Sequence, residues 1–153
     1  MNRAPDCLMG FKALSISREG LLLSPRDYAA WDERGVVIAQ CALKKSHNAV
    51  PDEHCSCGIY AAFKFLDCAE YTYRRGSLFV IKGFGKCVVG ENGFRAELAQ
   101  VVSVVKFSSW CGRAVYEQIA PLRPPCISLD AADAAIREHR AQWLARVEDE
   151  SRA

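Results

Sequence analysis

Three cysteines and two of the chain's three histidines fall between positions 41 and 57: Cys41, His47, His54, Cys55 and Cys57. Thiolate and imidazole are the ligand types Zn²⁺ prefers, and a structural zinc takes four of them in a tetrahedron. Cys41, His47, Cys55 and Cys57 make the economical set. Two thiolates one residue apart can chelate a single ion, although Cys-x-x-Cys is the commoner knuckle. Gly58, directly after Cys57, lets the backbone close around the sulfur. His47 comes from a loop that can adapt its position to the tetrahedron. His54 competes for the imidazole place, but beside Cys55 its side chain tends to point away from a shared ion. That leaves it a supporting hydrogen bond or no role. Iron, alone or in a cluster, also accepts three cysteines and a histidine; the compact spacing matches no cluster signature and favours zinc. With four protein ligands the site is closed, so the ion stabilises the fold and does not activate water. The competing readings are reduced cysteines with no ion, or a redox pair.

Other residues carry weaker chemistry. In Phe94-Arg95-Ala96-Glu97-Leu98 the period of two puts Arg95 and Glu97 on one strand face and Phe94, Ala96 and Leu98 on the other. A charged pair on the concave side of a curled sheet can orient a ligand; a solvated face, or a structural ion pair tying the strand to the loop, is the plainer reading. Tyr71, Tyr73, Arg74 and Arg75, with Lys64 and the added charge of Lys44 and Lys45, offer the stacking and phosphate contacts of a single-strand binder. A helix C-terminus rich in arginine explains the same residues. Cys55 beside His54 supplies the types for a nucleophile and its base, yet adjacent residues rarely face each other. Gly83-Phe84-Gly85 lacks the rest of a phosphate-binding loop.

A chain of 153 residues suffices for one hydrophobic core. Half the chain is apolar and a quarter charged, and the formal net charge of +2 gives no global attraction to nucleic acid or membrane. Eight cysteines is a high count. The first residues lack the apolar stretch of a secretory signal and no run is long enough to span a bilayer, so a reducing, cytoplasmic setting is expected. There, cysteine clusters bind metal or do redox chemistry more often than they form disulfides. Cys7, Cys68, Cys87, Cys111 and Cys126 stand mostly among apolar neighbours and read as small buried hydrophobes.

The elements that must position these residues follow from pattern. Met9 to Ile16 reads as a strand, and Leu21 to Leu23 returns after the Glu19-Gly20 turn. Val36 to Cys41 is β-branched and delivers Cys41 into the loop that holds His47. Ile59 to Phe63 fits strand or helix, and Leu66 to Arg75 reads as a helix ending at Gly76. Leu78 to Ile81 and Lys86 to Val89 flank Gly83 and Gly85, which mark a bulge or bend. Asn92-Gly93 suits a type I′ hairpin turn, returning as a long strand from Phe94 to Phe107. Pro121, Pro124 and Pro125 read as a linker. Ser128 caps a last helix to about Glu148, with Ala132, Ile136, Trp143 and Val147 on its apolar stripe.

On Cys41, His47, Cys55-Ser-Cys57-Gly58-Ile59-Tyr60-Ala61, Gly85-Lys-Cys87-Val88 and Gly93-Phe94-Arg95-Ala96-Glu97, the chain resembles a group of uncharacterised bacterial and phage proteins. The likeness covers roughly residues 10 to 105. It implies that Cys41, His47, Cys55 and Cys57 act as one unit, with Arg95 and Glu97 near the same site, and it implies no activity.

The expected architecture is α+β: a curled, mainly antiparallel, barrel-like sheet with one internal helix and a C-terminal helix. Residues 1–120 form the zinc-stapled domain, 121–128 the proline-rich linker, and 129–153 a helix packing on that domain or on a second subunit. The expected function is a zinc-stabilised, non-enzymatic binding or regulatory module for a protein or nucleic-acid partner. The alternative is a small metal- or cysteine-dependent enzyme using Cys55, Arg95 and Glu97.

Overall fold

The computed structural model describes residues 7–18, 20–24, 30–41, 50–68, 77–106 and 122–152. In chain order these form β1 (Cys7–Ile16), β2 (Leu22–Leu23), β3 (Val36–Ile38), β4 (Ile59–Ala62), a 3₁₀ turn (Phe65–Asp67), β5 (Ser77–Val89), β6 (Gly93–Lys106), β7 (Cys126–Ser128) and helix α1 (Leu129–Arg152). All strands pair antiparallel except β6 with β7, which run parallel.

The valine-rich β6 organises the sheet. Along one edge it pairs with β5 over most of its length. The other edge is shared end to end by three short strands: β4 meets Gly93 to Ala96, β3 meets Leu98 to Gln100, and β7 meets Val104 to Lys106. β5 pairs in turn with β1, and β1 touches β4 through Phe11 and Ala62. The strands β1, β5, β6 and β4 thus make a ring closed at one seam by a single described bridge, barrel-like without being a complete barrel.

The glycine-marked bend is present as a bulge. Phe84 pairs with Leu98 and Cys87 with Ala96, so β5 spends one extra residue there. It does not end the strand: the two expected segments are one continuous β5. The inward alternation of β6 shifts opposite this bulge. Phe94 and Ala96 are buried, and the buried set resumes at Ala99 and Val101, leaving Leu98 only half-buried. Extra backbone on one strand re-aims its partner's side chains.

The hairpin between β5 and β6 turns on Glu91-Asn92, one residue earlier than a type I′ turn on Asn92-Gly93. Val89 pairs with Phe94, Gly90 N–H donates to the Gly93 carbonyl, and neither Asn92 nor Gly93 takes a positive φ. Gly93 is required for a different reason: a Cβ there would collide with the Ala61 carbonyl of the adjoining β4.

Of the internal helix expected over Leu66 to Arg75, the described residues hold the 3₁₀ turn Phe65–Asp67, with Cys68 as its C-cap. Residues 69–76, with Tyr71, Tyr73, Arg74 and Arg75, lie outside the described residues, as do Lys44, Lys45, Cys111 and Pro121. Ile59–Ala62 settles as strand. After Pro124 and Pro125 the chain re-enters the sheet at once: Val104 N–H donates to the Pro125 carbonyl and β7 follows. Ser128 Oγ then accepts the Ala131 N–H as the N-cap of α1, at 3.1 Å. The helix continues past Glu148 to Arg152.

The core is one cluster that includes Phe11, Trp31, Phe79, Val80, Ile81 and Phe94, and α1 adds Ala132 and Ile136 to it. Trp31 is fully buried and its indole N–H donates to Ser24 Oγ at 3.0 Å, so its polar edge is satisfied. Among the described residues, no helix is long and apolar enough to cross a membrane.

Candidate metal centre

Two chain segments converge on the site, and each is fixed by β6. The first is the end of β3. Asp32 organises the turn before it, its Oδ1 accepting the Arg34 and Val36 N–H groups at 2.8 and 3.0 Å. The Val36 bond leads the causes that hold the Asp32 carboxyl below its ordinary range. Beyond β3, Ala39 N–H donates to the Glu97 carbonyl at 2.8 Å, which extends the pairing to within two residues of Cys41.

The second segment is the loop from Val50 to Gly58. Asp52 Oδ1 accepts the His54 N–H at 2.8 Å, and the Asp52 carbonyl accepts the Cys55 N–H at 3.2 Å, so the chain doubles back between them. Tyr60 Oη donates to the Ser56 carbonyl at 2.7 Å. Gly58 has φ +116°, and a Cβ on it would meet Pro51 Cβ at 2.9 Å and Arg95 Cβ at 3.0 Å. Only glycine fits both the backbone geometry and the space.

Arg95 clamps this loop to the sheet. Its Nη1 donates to the carbonyls of Asp52 (3.2 Å), Cys57 (2.8 Å) and Cys55. The side chain also lies 5.9 Å from the Tyr60 ring centroid. Of the expected roles for Arg95, a solvated face, a ligand contact or an ion pair tying strand to loop, the structure shows a tie from strand to loop made to backbone carbonyls. It works by charge-assisted hydrogen bonds to carbonyls, with no carboxylate involved in those contacts. Glu97, two residues on, looks elsewhere: its Oε2 accepts the Lys86 N–H at 2.9 Å, capping the bulge of β5.

The result is a convergence of thiols. Cys41, Cys55 and Cys57 place their sulfurs within 4.8 Å of one another. Cys41 Sγ and Cys55 Sγ are 3.7 Å apart, and Cys57 Sγ accepts the Asp52 N–H at 3.4 Å. Cys55 and Cys57 are buried and Cys41 half-buried. Burial pushes the Cys57 thiol up, and the Cys55 and Cys41 thiols add to that, against the Asp52 N–H. Three thiols this close cannot all ionise without a cation among them, and a metal ion supplies that charge. The group can hold a metal ion. His47 lies outside the described residues. The exposed His54 is not among the three residues whose ligand atoms converge.

Beside this centre lies an apolar pocket of about 590 Å³, walled by β1, β4 and the β5–β6 hairpin. Gly58, at the end of the thiol loop, and Arg95, which clamps that loop from β6, both line the pocket.

A second contact joins residues that no local pattern connects. Cys7 Sγ, at the start of β1, lies 3.7 Å from His139 Nε2 on α1, 132 positions away. Burial raises the Cys7 thiol, against Lys82, and burial lowers the His139 imidazole, with Lys82 and Arg146 adding to it against Glu138. Both shifts favour neutral forms, the opposite of an activated thiolate–imidazolium pair. Of the remaining cysteines, Cys68 fits the small-hydrophobe reading, buried with its thiol pushed up to about 12, whereas Cys126 is exposed.

Comparison with protein-family models, with curated proteins and with solved structures finds no match to this chain.

Proposed function

We propose that this protein is a zinc-stabilised, non-enzymatic binding or regulatory module whose partner is a protein or a nucleic acid. The observation that carries the reading is the spacing of the thiols. A tetrahedral ion with Zn–S bonds near 2.3 Å has ligand-to-ligand edges of about 3.8 Å, and Cys41 Sγ and Cys55 Sγ stand 3.7 Å apart. Cys57 is the third ligand, and His47 completes the set on the sequence pattern. Zinc suits this mixture of thiolate and imidazole better than harder ions do. A site filled by four protein ligands leaves no position for substrate or activated water. Thiols clustered without a disulfide also suit a reducing, cytoplasmic setting.

The enzymatic alternative would recruit Cys55, Arg95 and Glu97. The bonds of Arg95 to the loop carbonyls and of Glu97 to the Lys86 amide give both side chains structural work instead.

Elemental analysis of the purified full-length chain tests the proposal. One zinc per chain is expected, lost on Cys55→Ser, with unfolding when a strong chelator removes it. A chain that binds no metal under reducing conditions overturns it. Retention on nucleic acid that falls steeply with salt separates a nucleic-acid partner from a protein partner.

A further inference from the structure

We propose that Cys41 and Cys55 are an oxidation site through which a hydroperoxide expels the bound metal, making the centre a reversible redox switch. The switch rests on the metal reading above and adds its regulation. Three observations support it. Cys41 Sγ and Cys55 Sγ are 3.7 Å apart, within one side-chain adjustment of the roughly 2.05 Å of a disulfide. Their exposures differ: Cys41 is half-buried, while Cys55 is only 8% exposed, so a solvent-borne oxidant meets Cys41 first. Their anchoring differs too. The carbonyls of Asp52, Cys55 and Cys57 are clamped by Arg95, whereas Cys41 lies beyond the last described β3–β6 bond at Ala39. The approach therefore falls on Cys41.

The chemistry balances with one peroxide. The Cys41 thiolate attacks the outer oxygen of ROOH; the O–O bond breaks, a sulfenic acid forms, and the alkoxide leaves as ROH after taking a proton. The Cys55 thiolate then attacks that sulfur. An S–S bond forms, the S–O bond breaks, and the oxygen leaves as water with a second proton. Two thiolates lose two electrons and the peroxide gains them. The ion loses two ligands and cannot be held by what remains. Because Arg95 holds the loop through its carbonyls and not through the sulfurs, the loop stays on β6 after the ion departs. Reduction by a thiol then restores a site still in place.

The test uses full-length protein loaded with zinc. Metal content is measured first, hydrogen peroxide is then added, free zinc is followed with a chromophoric chelator, and disulfides are mapped by peptide mass. Zinc release and a Cys41–Cys55 disulfide should rise together in equal amounts, and dithiothreitol with zinc should reverse both. Cys126→Ser, which removes an exposed thiol away from the centre, should leave the release unchanged. Protein that holds no zinc at the outset sinks the metal reading and the switch together. Protein that holds zinc but keeps it through oxidation, or that forms its disulfide between other cysteines, overturns the switch alone.

Discussion

Arg95 is the side chain on which the metal centre turns, since its Nη1 reaches three carbonyls of the thiol loop. Hydrogen bonds to a charged donor are worth about 1.5–3 kcal/mol each in favourable settings; for a half-buried clamp we expect Arg95→Gln to cost about 2–3 kcal/mol of stability. The same change should weaken zinc in a chelator competition. A stability loss with unchanged zinc affinity would show that the loop holds its shape without the clamp. Asp32 acts at greater distance, organising the turn that leads into β3. Asp32→Ala should cost about 1 kcal/mol, in line with loss of a capping side chain, read as a lower urea midpoint with the same slope.

At the scale of elements, β6 places every part of the centre. It pairs with β3, which leads to Cys41, and with β4, which follows Cys57, and it carries Arg95 opposite Tyr60 in the β4-paired stretch. Helix α1 is equally integral, because Ile136 is fully buried in the shared core. Ile136→Ala should cost about 2–5 kcal/mol, the range for emptying a buried aliphatic site, measured by denaturant unfolding. The same helix brings a pH dependence. Burial holds the folded His139 below the ordinary value of about 6.5. Between those two values the unfolded chain binds the extra proton, so stability falls as pH drops from near 6.5 toward the folded value. Urea midpoints between pH 5 and 8 should show that slope in the native chain and lose it in His139→Gln. Cys7 acts at the other end: its raised thiol makes the unfolded chain ionise first, so stability falls as pH rises above about 8.5.

For the whole molecule, the proposed metal reading links ion binding to folding. An ion that binds only the folded chain, present at a hundred times its Kd, adds about 2.7 kcal/mol. Thermal unfolding should therefore move upward with zinc concentration, and a chelator should return it to the metal-free value. A midpoint indifferent to zinc would mean that the sheet and α1 carry the fold alone. The pocket beside the centre is lined by Gly58 of the thiol loop and by Arg95, which clamps that loop, so metal removal should also alter its shape.

Chain order alone was enough to find the thiols, because Cys55 and Cys57 lie one residue apart and Cys41 leaves a β-branched strand. The curled antiparallel sheet was legible too, since valine-rich runs and the glycines at 83 and 85 constrain the backbone locally. Other features depend on pairings between distant segments. The clamp role of Arg95 arises because β6 lies against the residues flanking Cys55, 40 positions away; alternation specifies only a face, not what covers it. The contact of Cys7 with His139 exists only once α1 docks on β1. Gly93 likewise looked like a turn residue and proved to be a packing requirement, because the atom it must avoid, the Ala61 carbonyl, belongs to another strand. Local periodicity records each residue's own conformational preference, whereas a partner brought in by strand pairing is set by the summed burial of the whole core.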